Sequence, residues 1–165
     1  MKIDEAHGKI AALLRQNGIA AVESWPEGRR ERHEDCVVLV SMERVQCSPA
    51  GMQDYLGQRA DEEDGKLKEI YGRRAEMTFT LDVLAEKGTP AQTLRRTAND
   101  LARLFQTERP EMLTVREMRI DEIRYDETEG LLCLRCELEC EGLLCTAGEE
   151  AGTFLDFTLR GDVET

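Results

Sequence analysis

Aromatic residues are scarce, with one tryptophan, three tyrosines and four phenylalanines making up 5% of 165 residues. There is little to stack on bases, and acid outweighs base by 34 side chains to 22, for a net charge of −12. Nucleic-acid binding draws on clustered Lys and Arg that displace counterions from phosphate, so sequence-specific binding of DNA or RNA is not expected. Long apolar runs are also missing. They end after a few residues, against the ~20 needed to cross a bilayer, and the charged start Met1 to Glu5 does not read as a signal peptide. A soluble intracellular protein without a membrane partner is expected. Histidine is limited to His7 and His33, with no nucleophile relay patterned around either, and glycines fall singly in turns rather than in a phosphate-cradling loop. These shortages leave no catalytic, cofactor-binding or metal-ligating residue to assign, so an enzyme is not expected.

The chain does have a soluble composition, 41% hydrophobic and 34% charged, at a length that suits one domain. The acidity is uneven. Glu111 to Glu164 holds 15 acidic and 5 basic residues, leaving the part before it nearly balanced. Arg29, Arg30 and Arg32 are interrupted by Glu31 and followed by Glu34 and Asp35, which reads as a solvated loop.

Six cysteines raise the question of a metal or disulfide framework. In Leu131 to Gly142, Leu132, Leu134, Cys136, Leu138 and Cys140 share one parity, while Cys133, Arg135, Glu137, Glu139 and Glu141 share the other. On a strand these are opposite faces. Cys133 and Cys136 have zinc-knuckle spacing but would point apart, and no second such pair exists, so Cys136 and Cys140 read as small buried hydrophobes. Free thiols suit a reducing compartment. The row Asp61-Glu-Glu-Asp64 lacks an EF-hand pattern and reads as solvated charge.

Periodicity orders the rest. Asp4 can cap a helix with Ala6, Ile10, Leu13 and Leu14 on one face, stopped by Asn17-Gly18. Strands follow at Ile19 to Trp25 and Cys36 to Val45, the second with an apolar run that suggests burial on both faces. Gln46 to Glu69 breaks the pattern and reads as an extended loop or arm carrying Tyr55 and Leu56, which could dock on a neighbouring subunit or pack back on its own domain. Tyr71 to Glu86 alternates Ala75, Met77, Phe79, Leu81 and Val83 against polar partners, a long half-buried strand. Thr89-Pro-Ala-Gln92 has the form of a capping box before a second helix with a Leu94, Ala98, Leu101, Leu104, Phe105 stripe; its other face carries Arg95, Arg96 and Arg103. Val115 to Tyr125 changes parity between Ile120 and Ile123, which a bulge near Asp121-Glu122 reconciles, and Asp126 to Gly130 turns it into the strand Leu131 to Gly142. Gly152 to Arg160 alternates Leu155, Phe157 and Leu159 and reads as a last strand. The order α-β-β-β-α-β-β-β describes one α+β domain, a mainly antiparallel sheet with two helices on one face.

Glu137, Glu139 and Glu141 repel one another along one strand face, which is tolerated more readily opposite a basic surface. If Arg95, Arg96 and Arg103 of a second copy supply it, the contact is head-to-tail and can close into a ring. Tyr55 and Leu56 join these six as expected interface residues.

The segments Val37-Val-Leu-Val-Ser41, Tyr55-Leu-Gly57, Ile70-Tyr-Gly-Arg-Arg-Ala-Glu-Met-Thr-Phe-Thr-Leu-Asp82 and Phe154-Leu-Asp-Phe-Thr-Leu-Arg-Gly161 resemble small tail or neck proteins of tailed bacteriophages and prophages, nearest the tail-terminator or tail-completion group. The resemblance implies an α+β protomer that forms a homo-oligomeric ring, often a hexamer. Such a ring caps the tail tube, joins it to the head, and contacts other tail or neck proteins. It implies assembly in the bacterial host cytoplasm and then a place in the virion tail or neck. An acidic lumen would also repel passing DNA, so the glutamate row is expected to face either the lumen or Arg95 and Arg96. Two other readings stand beside it: a monomeric small-molecule-binding or enzymatic domain, which needs an apolar pocket with converging polar groups, and an adaptor that binds a host protein through 46–69.

Overall fold

The structure, a computed structural model, describes residues 3–24, 36–50, 54–60, 67–128 and 130–147. The first helix, α1 (Ile3–Gln16), buries Ala6, Ile10, Leu13 and Leu14, as their spacing predicts, together with Ala11. It starts one residue before Asp4, which therefore sits in its first turn rather than at its cap. It ends at Gly18, whose φ of 76° places the backbone in the left-handed region. The amide of Gly18 donates to the carbonyl of Arg15, and that of Ile19 to Leu14, so two end carbonyls are satisfied in a Schellman pattern.

The next strand, β1 (Ala21–Val22), is far shorter than the expected Ile19 to Trp25. It pairs in parallel with β2 (Val37–Pro49), matching Ala21 to Val38 and Val22 to Leu39. Trp25 lies outside the described residues. As the apolar run suggests, β2 begins buried on both faces, at Val37 and Val38 alike.

The arm expected over 46–69 is largely strand. β2 continues to Pro49, β3 (Tyr55–Ala60) pairs antiparallel with the start of β4 (Leu67–Glu86), and β4 itself begins before Tyr71. Alternation is lost there because β3 and the start of β4 are exposed or only half-buried on both faces, so neither face has to be apolar. Gly72 of the Tyr-Gly-Arg segment marks a close approach. A Cβ there would come within 2.5 Å of Leu56 Cδ1 and 3.1 Å of the Leu144 carbonyl, so only glycine lets Leu56 lie across the strand.

The second helix, α2 (Ala91–Thr107), buries Leu94, Ala98, Leu101 and Leu104, with Phe105 partly covered. The expected capping box does not form. Pro90 is the N-cap and no side-chain cap bond is made, because the turn after β4 places Thr89 outside the helix. Next come β5 (Leu113–Asp126) and β6 (Leu131–Ala147), an antiparallel hairpin. Its register shifts between Ile120 and Ile123, where the parity change predicts a bulge. The described order is thus α-β-β-β-β-α-β-β, with β3 as the strand not anticipated. The expected strand at Gly152 to Arg160, the Arg29 to Arg32 cluster, His33 and the Asp61 to Asp64 row lie outside the described residues.

The sheet runs β1-β2-β4-β6-β5, with β3 beside β4, and every pairing but β1 to β2 is antiparallel. α1 covers β1 and β2, and α2 covers β4, β5 and β6, so both helices lie on one face. Register stacks the core in rows across four strands. Val45, Met77, Cys140 and Val115 form one; Met42, Phe79, Leu138 and Met118 the next; then Val40, Leu81 and Cys136, whose register partner Ile120 is exposed; then Val38, Val83, Leu134 and Ile123. At about 1.5–3 kcal/mol for each large apolar side chain buried, these rows and the helix stripes supply most of the driving force.

Candidate functional site

The face of the sheet away from the helices carries the second set of rows. Arg135 lies opposite Asp82. Glu137 stands between Thr80 and Arg119, Glu139 between Thr78 and Glu117, and Glu141 between Glu76 and Thr114. Two of these rows set carboxylates directly side by side, an arrangement that destabilises unless cations intervene. Arginines do intervene. Arg119 reaches Glu117 at 2.8 Å, Glu139 at 3.0 Å and Glu137 at 3.5 Å. Arg135 holds Asp82 with two bonds of 2.8 and 3.1 Å. Arg74 approaches Glu141 at 3.1 Å, and Arg116 holds the other oxygen of the same carboxylate, with its Nε at 2.9 Å.

Protonation follows the geometry. The hydrogen bond from Arg116, then its charge and that of Arg74, hold Glu141 below the usual carboxylate range. Glu117, through its hydrogen bond and then its charge, raises Arg119, as Asp82 raises Arg135. The arginine side chains are more than half exposed, so each pair adds little to stability, and the network matters for the pattern it presents.

Sequence parity identified Glu137, Glu139 and Glu141 as one row but not their partners Arg74, Arg116 and Arg119. Arg74 was legible, because it shares its parity in β4 with Glu76. Arg116 and Arg119 were hidden by the register shifts in β5, which decide which residue of a bulged strand stands opposite a given glutamate.

Arg95, Arg96 and Arg103 are exposed on α2, on the other side of the sheet. Within one chain they do not meet the glutamate row. Arg95 borders a concavity of about 480 Å³ between α2 and the β5 bulge, floored by Ala98, Ile123 and Leu134. Tyr55 and Leu56 open β3, 42% and 38% exposed. The Tyr55 ring sits edge-on to Tyr71, with centroids 5.7 Å apart, while Leu56 lies over Gly72. Tyr71 donates its hydroxyl proton to Glu69, which pushes the phenol pKa up.

Cys136 and Cys140 lie in the core rows and Cys133 on the opposite face, as parity predicts. Burial pushes the Cys136 and Cys140 thiols up to about 12 and Cys133 to about 11. Unfolded thiols ionise near about 8.5. The native state therefore holds its full contribution from these thiols below that pH. For the buried Cys136 and Cys140 it loses up to about 1.4 kcal/mol per thiol per pH unit above it, until the folded thiols ionise as well, and the half-exposed Cys133 contributes less. Two outcomes are expected: Cys47 and Cys145, which are exposed, react with Ellman's reagent at pH 8 in the native state while Cys136 and Cys140 wait for denaturant, and urea midpoints fall steadily above pH 9. Fast native labelling of Cys136 or Cys140 would contradict the buried placement.

Among the described residues no cluster of three or more His, Cys, Asp or Glu side chains is placed to hold a metal ion. No described helix is long and apolar enough to cross a membrane. The architecture is an α+β open-faced layer pair, with helices on one side of the sheet and an ion-paired face on the other.

No protein-family model and no curated protein sequence matches this chain. Among solved structures it is similar to a chain in the virion of a native gene transfer agent particle, at 14% identity over 80% of this chain and 86% of that one, with a TM-score of 0.39. It is also similar to the sheath/tube terminator of an extracellular contractile injection system (PVC) in its extended state, at 14% identity over 100% of this chain, with a TM-score of 0.45. The chain spans 64% of the length of that terminator. Likeness at this level describes strands and helices in outline and carries no functional argument.

Proposed function

We propose that this chain is a structural, non-enzymatic tail component of the terminator or completion kind, which assembles with copies of itself into a ring that caps a tail tube and joins it to a head. One observation carries the reading: arginines 95, 96 and 103 and the row of Glu137, Glu139 and Glu141 lie on opposite sides of a single sheet. Surfaces placed back to front cannot satisfy each other within a chain. They can do so between chains, head-to-tail, and a repeated head-to-tail contact closes into a ring when the rotation fits. The sequence resemblance in the Val37, Tyr55 and Tyr-Gly-Arg segments points the same way, and Leu56 packed on Gly72 gives that segment a physical reason.

Of the two placements open to the glutamate row, the interface is the better supported. Arg74, Arg116, Arg119 and Arg135 neutralise much of the face, so it offers a lumen little net repulsion for DNA, whereas alternating charges suit a docking surface that needs a fixed register. Other tail or neck proteins would be the neighbours, with assembly in the host cytoplasm preceding residence in the virion. Gel filtration with light scattering tests the reading. A discrete multiple of the 18.7 kDa chain mass is expected at low salt, shrinking as salt screens the contact, and a monomer at every salt concentration would refute it.

A further inference from the structure

Ion pairs between exposed side chains hold a contact weakly, so a repeating interface needs an apolar anchor as well. On the helix side, Ile120 is 45% exposed although its register partner Cys136 is fully buried. The helix beside it presents Ala91 and Ala98, too small to cover it, and the register shift after Ile120 carries Asp121 and Glu122 around the rim. The result is the groove of about 480 Å³ between α2 and the β5 bulge, floored by Ala98, Ile123 and Leu134, with Arg95 on one wall.

On the ion-paired side, exposed apolar residues lie beside Glu141. Met112 and Leu143, 53% and 44% exposed, border the same surface as Arg74, Arg116 and Glu141. They stand open because β5 starts late: its first residue, Leu113, pairs with Gly142, so β5 does not reach Leu143. Met112, at a φ of 62°, turns the chain left-handed just before the strand. The other apolar row of this face, Val37, Leu84 and Cys133, is buried or half-buried and has less to offer a partner.

Charge makes the two surfaces opposites. Around the groove, Asp121 and Glu122 outnumber Arg95; around Met112 and Leu143, Arg74 and Arg116 outnumber the one carboxylate of Glu141 that they share. Each surface therefore repels its own kind and attracts the other, and each carries one group of the minority sign, which fixes orientation. Arg95 belongs to the α2 arginines and Glu141 to the glutamate row, so the two apolar surfaces adjoin the charges that meet in the ring contact.

We propose that the groove between α2 and the β5 bulge receives the Met112 and Leu143 surface of a second copy of this chain, as the apolar anchor of the head-to-tail contact. The anchor presupposes that contact and names the residues that hold it. Groove meets surface and not its own kind, so each copy is joined to the next in one direction.

Sedimentation velocity on the full chain at low salt tests it with two variants. Ile120→Lys sets a cation in the groove against Arg74 and Arg116, and Met112→Asp sets a carboxylate against Asp121 and Glu122. Both positions are exposed, and aspartate accepts a left-handed backbone better than methionine. Each variant alone is expected to associate at least about 30-fold more weakly than the parent, sedimenting as single chains where the parent is assembled. An equimolar mixture is expected to form pairs and nothing larger, because it joins one intact groove to one intact surface. Variants that assemble at parental strength would overturn the anchor while leaving the ring reading in place. A parent that stays monomeric at every salt concentration refutes the ring reading itself, and the anchor with it. Variants that halt at pairs on their own would overturn the anchor by pairing like with like, as would a mixture that stays monomeric. Where either variant loses its far-ultraviolet circular dichroism, Ala91→Trp and Leu143→Asp at the same two surfaces repeat the experiment and decide.

Discussion

Reversing Arg95 and Arg96 together to glutamate is expected to weaken self-assembly by about 100-fold or more, while the melting temperature stays within about 2 °C of the parent. The first number follows from like charge. Two glutamates would replace the cations that face Glu137, Glu139 and Glu141 in the proposed contact, and each like-charge juxtaposition across an interface costs on the order of a few kcal/mol. The second follows from position, because both arginines are exposed on α2 and point away from the stripe of Leu94, Ala98, Leu101 and Leu104 that binds the helix to the sheet. Salt separates this account from simple loss of fold. Parent assemblies should loosen as salt rises, whereas the variant should recover slightly because its new repulsion is screened. Sedimentation velocity across a concentration series reads both effects. Assembly of the variant at parental strength would move the contact away from α2.

Phe79→Ala is expected to cost about 3–5 kcal/mol, the largest effect of any single substitution considered. Phe79 is fully buried on β4, in the row of Met42, Leu138 and Met118, with the helices above it. β4 is paired along both edges, so the surrounding strands cannot close the void without breaking ladder bonds. Against a typical total of about 5–15 kcal/mol, a loss of that size lowers the urea midpoint severely. Arg119→Ala is the natural contrast. It removes three ion pairs at once yet should cost no more than about 1 kcal/mol, because all three are solvated. Equal losses from the two substitutions would mean that the ion-paired face, rather than the core rows, holds the sheet together.

What the sequence made legible is what two-fold and 3.6-fold periodicity encode. The stripe of α1, the alternation of β4 and the segregation of Cys136 and Cys140 from Cys133 all follow from one face being apolar and the other not. Even the bulge between Ile120 and Ile123 was visible, as an apolar pattern that changes parity inside one strand. β3 was not visible, because Tyr55 to Ala60 is exposed or half-buried on both faces, so no buried face imposes alternation. The start of α2 misled for a local reason: Thr89-Pro-Ala-Gln92 has the capping spacing, but the turn from β4 leaves Thr89 one residue too early. At the candidate site the glutamate row was readable within one strand. Its arginine partners required the register of three strands, which is a property of the whole sheet.

This chain is proposed to act by repeating one contact between its helix side and its ion-paired side. Negative-stain microscopy of the purified full chain at low salt tests it most directly. Closed rings of a single size are predicted, opening into small fragments as salt is raised. A field of isolated single-chain particles at the same concentration, unchanged by salt, would contradict it.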